Sequence, residues 1–171
     1  MIVLAIDIGL TGAVATLDHA GRFNLGDIPT LEAEDAGKSA KRRIDGHGLG
    51  QLIRHYVPAE ESALVLIEDV QARPIGRSGG VERGNSMQSQ GSLMRSRGIV
   101  EGVLDMLRLP VRVVQPQSWK RHHGLLRTEK DAARVLAIQR FPSAADHLAR
   151  KKDGNRADAL LIAEYGQRVL A

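Results

Sequence analysis

Residues 2–18, IVLAIDIGLTGAVATLD, set two apolar runs on either side of a glycine-bearing segment that begins with an acid. Ile2 to Ile6 are apolar without a polar break, the pattern of a strand buried on both faces. Asp7 follows, then Ile8, Gly9, Leu10, Thr11 and Gly12, and a second apolar run from Ala13 to Leu17. This spacing predicts a hairpin: strand, glycine turn, strand. A carboxylate within such a strand is costly unless it is paired, hydrogen-bonded or bound to a metal. Asp7 is therefore either an acceptor for the amides of the following turn or a metal-binding carboxylate on the central strand of an α/β sheet.

The D-x-G-x-T-G pattern after a buried strand resembles two superfamilies. In RNase H-like nucleases the strand-borne Asp binds magnesium; in actin-like ATPases and sugar kinases the same hairpin wraps phosphate. Length separates them. The chain has 171 residues, enough for one domain over 1–171 and hardly enough for the two lobes of an actin-like ATPase. Hydrophobic residues at 43% and charged residues at 26% are those of a folded chain, and aromatics at 3% demand an aliphatic core. Lys plus Arg number 24 against 20 acids, a net charge of +4 that permits a polyanionic partner. From Arg108 to Lys152 there are eleven basic residues against three acids, either a solvated charged face or a nucleic-acid surface. The absence of cysteine excludes disulfides and thiolate metal sites. The apolar start is too short to span a membrane and lacks a basic flank, so a cytoplasmic protein without a membrane partner is expected.

Further along, Arg22–Ile28 reads as a third strand and residues 29–45 as a basic loop. Asp45 caps a short helix carrying Leu49, Leu52, Ile53 and Tyr56. Ala63 to Ile67 is another apolar run, and it too stops at an acid, Glu68. Residues 71–85, with four glycines and three arginines, read as a loop. A long helix is expected over about 86–108, with Met87, Gly91, Met94 and Gly98 on one stripe, the methionines in the core and the glycines allowing close packing. Val111–Val114 is a fifth strand, followed by a basic cluster around Trp119, Lys120 and Arg121. Adjacent His122 and His123 point in different directions and are not read as metal ligands. Thr128–Phe141 is read as a helix with a Thr128/Asp131 capping box. A last helix runs from about 155 to 169. In it, Asp158, Leu161, Ile162, Tyr165 and Val169 share one stripe, so Asp158 projects from the face that packs on the sheet. Dipole stabilisation alone would also suit an acid there.

The order and spacing of AIDIGLTGAVATLD, LVLIEDVQARP, MQSQGSLMRSRGIVEGVL, PQSWK, EKDAARVLAIQRFP and KKDGNRADALLIAEYG resemble RuvC-type Holliday junction resolvases, above all the shorter phage-type members. The resemblance covers nearly the whole chain. It implies an α/β, RNase H-like fold with a five-stranded mixed sheet, three antiparallel strands then two parallel ones, flanked by helices. It implies a homodimer that cuts four-way DNA junctions with Mg2+, or with Mn2+ in its place. By position, Asp7, Glu68 and Asp158 match family catalytic acids that hold the metal. Asp153 is assigned as the fourth, since Asn155 stands where many resolvases carry it. Lys120 matches a basic residue at the scissile region. The aromatic wedge of the bacterial family has no counterpart, since residues 70–85 hold no Phe, Tyr or Trp. The alternatives are another RNase H-like nuclease acting on branched DNA or RNA–DNA hybrids, or a non-catalytic junction-binding module.

Overall fold

The computed structural model describes residues 1–32, 42–70, 76–78, 81–83 and 87–170. In chain order these form β1 (Ile2–Asp7), β2 (Ala13–Asp18), β3 (Phe23–Asp27), β4 (Thr30–Glu32), β5 (Arg42–Ile44), α1 (Gly46–Tyr56), β6 (Ala63–Glu68), β7 (Gly76–Ser78), β8 (Val81–Arg83), α2 (Met87–Met106), β9 (Val111–Val114), α3 (Pro116–His122), α4 (Ala132–Arg140) and α5 (Gly154–Val169). Two short 3-10 segments, Pro142–Leu148 and Lys151–Asp153, lead into α5.

The main sheet has the order β3-β2-β1-β6-β9. Pairing is antiparallel across β3, β2 and β1, and parallel from β1 to β6 and from β6 to β9. This is the expected five-stranded mixed sheet. The hairpin turn depends on Gly12. Its amide donates to the Gly9 carbonyl at 3.0 Å, and its carbonyl accepts from Ile28 at 2.9 Å. A Cβ at Gly12 would collide with the carbonyl oxygen of Asp7, so no other residue closes this turn without displacing the site strand.

Alternation along the strands divides the core in two. Val3, Ala5, Leu64 and Leu66 face a layer formed by α3, α4 and α5; Leu4, Ile6, Val65 and Ile67 face α1 and α2. The α5 layer is built from small residues. Ala5, Ala13, Ala15, Ala157, Ala159 and Ala163 are all buried, and a side chain at Gly166 would strike Leu66 and Val3. Small residues let α5 lie close to the sheet, which brings the head of the helix down onto the strand ends.

Several elements differ from the sequence reading. Residues 29–45 were expected as a loop, but β4 and β5 pair there as an antiparallel ribbon; their charged, short strands carry no apolar alternation to reveal them. The glycine-rich segment 71–85 contains the β7–β8 ribbon, and the rest of that segment lies outside the described residues. The basic cluster after β9 is a helix, α3, entered through Pro116. The helix expected over 128–141 begins only at Ala132, and the Thr128 hydroxyl donates to the Leu125 carbonyl at 3.0 Å instead of capping. On α2 the buried stripe is Ser96, Val100 and Leu104, not the methionine stripe; Met87 is 79% exposed. Among the described residues no helix is long and apolar enough to cross a membrane.

Candidate active site

The register of the sheet brings two acids together. Ile6 of β1 pairs with Ile67 of β6 in parallel, so Asp7 and Glu68 follow side by side at the ends of adjacent strands. By alternation both side chains leave the sheet on the α5 side, the side of Val3, Ala5, Leu64 and Leu66. Asp158, one turn into α5, is near enough for its charge to act on Asp7 and for that of Glu68 to act on it. The three carboxylates come from three elements far apart in sequence, and none could stand alone at little cost.

Their electrostatics record the convergence. Burial pushes the Asp7 carboxyl well above the usual carboxylate range, the negative charges of Asp158 and Glu68 push it further, and Lys120 pulls it back. Asp158 is pushed up to about 6, mainly by burial and also by Glu68, against the opposing pull of Lys120. Lys120, on α3, is thus the cation common to both acids. Glu68 Oε1 accepts a hydrogen bond of 2.7 Å from the indole Nε1 of Trp119. The Lys120 ammonium lies 5.1 Å from the centre of the same ring. Next to the cluster, Asp69 is held by Arg97 at 3.0 Å and Gln115 at 2.6 Å. As the side chains stand, no three His, Asp or Glu residues among the described ones are grouped closely enough to hold a metal ion.

No protein-family model matches the chain. A curated relative, the chloroplastic Holliday junction resolvase MOC1 of Chlamydomonas reinhardtii, is 31% identical over 150 residues, which is 81% of this chain and 17% of the relative. The chain therefore spans a small part of that protein's length. The structure of Thermus thermophilus RuvC superposes with a TM-score of 0.52 at 15% identity, over 98% of this chain and 96% of that one. T. thermophilus RuvC in complex with a Holliday junction substrate gives 0.53 at 14% identity, over 99% and 97%. The chain has the RuvC fold.

Within this RuvC fold, the structure brings Asp7, Glu68, Asp158 and Lys120 together and leaves Asp153 out. The expected fourth acid is buried, and its carboxylate is bound to Arg150: the Arg150 amide donates to Oδ2 at 2.8 Å and the guanidinium to Oδ1 at 2.7 Å. Arg150 holds the Asp153 carboxyl below its ordinary value, and the charges of Arg156 and Arg134 also lie near it. The physical reason is local. Asp153 closes a 3-10 turn at the head of α5, and a capping carboxylate there faces backbone amides, not the strand ends. Asn155 is not in the cluster either; its amide donates to the hydroxyl of Thr11 at 3.0 Å, tying α5 to the β1–β2 turn. Arg156 likewise clamps Asp27 of β3 through bonds of 2.6 and 2.7 Å. The sequence reading missed Trp119 as a site residue. Its one signal was a lone tryptophan beside the basic residue Lys120.

Proposed function

We propose that this chain is a metal-dependent endonuclease that cuts four-way DNA junctions by phosphodiester hydrolysis, using Asp7, Glu68 and Asp158 as its carboxylates. The observation that carries the reading is the convergence of those three acids, with Lys120, at one end of a RuvC-like sheet. Likeness to a protein named as a junction resolvase supports the choice of substrate.

The donor set suits a hard divalent ion such as Mg2+ or Mn2+, since all three groups offer carboxylate oxygens. Asp7 and Asp158 are also held against ionisation by burial and mutual repulsion, a strain that a cation relieves. When bound, such an ion supplies Lewis acidity, making water a better nucleophile and neutralising charge on the leaving oxygen. The chain's own residues do the rest. Asp7 and Glu68, fixed on adjacent strands, orient the centre rigidly. Asp158 closes it from α5. Lys120 offers a positive charge to the phosphate as negative charge builds on it. Arg121, Arg127, Lys130, Arg150, Lys151 and Lys152 are exposed between β9 and α5, and they supply phosphate contacts that hold the junction without reading its sequence.

A homodimer belongs to the same proposal, because two symmetric cuts call for two centres related by a two-fold axis. Support comes from α2. An apolar groove of about 680 Å³ runs between α1 and α2, lined by Gly98, Ile99, Gly102, Val103 and Met106 among others. Met106 is 84% exposed, and a Cβ at Gly98 or Gly102 would meet nothing within 4 Å in the same chain. Sedimentation should find a dimer at micromolar concentration, weakened by Gly98→Leu; a monomer in the unmutated protein contradicts the assembly. Action in the cytoplasm is part of this proposal too.

The test of the function is a substrate panel. With Mg2+, the purified protein should cut four-way junctions and spare linear duplex and RNA–DNA hybrid, and EDTA should stop it. Hybrid cleavage without junction cleavage, or full activity in EDTA, refutes the reading.

A further inference from the structure

We propose that Trp119 is a positioning residue for this centre, holding Glu68 through its indole N–H and Lys120 through its ring. The inference rests on the nuclease reading above, and deepens it by assigning a residue outside the carboxylate set.

Trp119 is fully buried. A buried indole N–H needs an acceptor, and any carbonyl would serve. Here the acceptor is the carboxylate of Glu68, at 2.7 Å, across a separation of 51 residues. The bond fixes one oxygen of Glu68, the carboxylate whose charge acts on both Asp7 and Asp158. Carboxylate ligands are commonly oriented by such outer partners, and loss of the partner weakens metal binding about 10- to 100-fold. The ring serves a second purpose. With the Lys120 ammonium 5.1 Å from its centre, it offers a π-face to the cation that Asp7 and Asp158 both sense.

The helix that carries Trp119 is itself tied to the third acid's helix. His123, next to the end of α3, is buried, and its Nε2 lies 2.9 Å from the carbonyl of Leu161 in α5. A carbonyl only accepts, so that nitrogen carries the proton. Trp119 and His123 stand one turn apart, with their rings 6.4 Å from each other. Short as it is, α3 therefore braces β6 with one residue and α5 with another, fixing the distance between the carriers of Glu68 and Asp158.

Trp119 is the chain's single tryptophan, so its fluorescence reports this contact without any substitution. Titrating the unmutated, DNA-free protein with Mg2+ should change the emission saturably. Mn2+ binding, read from the EPR signal of free Mn2+, should weaken about 10-fold in Trp119→Phe, which keeps a ring but loses the donor. In a Glu68→Ala background, which offers the indole no acceptor, the same change should cost nothing further. Trp119→Phe should also need more Mg2+ for half-maximal junction cleavage, yet approach the unmutated rate at saturating Mg2+; a packing defect would not be rescued by metal. Emission that ignores Mg2+ while Mn2+ binds the unmutated protein overturns the proposal, and that arm stands even where Trp119→Phe fails to fold. So does Trp119→Phe binding Mn2+ with unmutated affinity. Failure of the unmutated protein to bind Mn2+ at all is a different result, and removes the metal-nuclease reading itself.

Discussion

Asp153 and Asp158 stand at the head of the same helix and have opposite surroundings. Asp153 is buried yet satisfied: Arg150 bonds both of its oxygens and holds its carboxyl below the ordinary range. Asp158 is pushed up to about 6 by burial and by Glu68 against the pull of Lys120, and its own charge acts on Asp7. One acid is already answered by a cation of the protein; the other is held against ionisation. Position on the helix does not distinguish them. What distinguishes them is whether the charge has been neutralised from within the fold, and the acid left unanswered is the candidate for chemistry.

The sharpest way to break that contrast is by substitution. Asp158→Asn should reduce junction cleavage to background, while Asp153→Ala should leave cleavage per folded molecule close to that of the unmutated protein. Loss of cleavage in folded Asp153→Ala would return that residue to the centre. Next in size is Lys120→Ala, expected to slow single-turnover cleavage about 100-fold, in the range found when one donor to a developing negative charge is removed. An unchanged rate would make Lys120 a surface cation.

Stability sharpens the contrast in the metal-free protein. The folded pKa of Asp158 lies above its ordinary value of 3.8, at about 6. Between those values the folded chain binds the proton more tightly than the unfolded one. The Asp158 contribution therefore favours folding below about pH 4 and is lost as pH rises through about 6. Asp7 acts in the same direction. His123, whose pKa burial lowers from 6.5, acts in the opposite one, so the readout is the difference between the unmutated protein and Asp158→Asn. In EDTA, the stability gained by Asp158→Asn should grow from near zero at pH 4 to on the order of 2 kcal/mol at pH 7. Adding Mg2+ should remove that advantage. A flat difference across this range would mean that Asp158 is not held against ionisation. The smallest effect belongs to Asp153→Ala, which should lower stability by about 1–2 kcal/mol through loss of the cap. Its pKa is depressed, so this loss should be present at neutral pH and shrink as pH falls below about 4.

The sequence made the sheet and two of its acids legible because each rests on a local pattern. Ile2 to Ile6 and Ala63 to Ile67 are unbroken apolar runs, and each stops at a carboxylate. Alternation then fixes the side on which Asp7 and Glu68 emerge. Asp158 was legible through the apolar stripe of α5. Asp153 is expected as a fourth acid because a helix cap and an inward ligand look alike in sequence; its contact with Arg150 is not marked there. Trp119 was missed because its partner is remote in the chain, and nothing local marks the N–H of a buried indole as bound to Glu68. On α2, Gly91 and Gly98, expected to allow close packing against the sheet or a second helix, border open space within the chain. A helix with glycine on several faces carries too little periodic contrast to orient it.

If Asp7 belongs to a centre that cuts DNA while affinity for the junction comes from the basic surface, substitution of Asp7 separates cutting from binding. The most direct test binds a labelled four-way junction to Asp7→Asn without metal, confirms the complex by gel shift, and then adds Mg2+. Binding within a few-fold of the unmutated protein and no cleavage over many unmutated turnovers are expected. Cleavage by Asp7→Asn at the unmutated rate would contradict that role for Asp7.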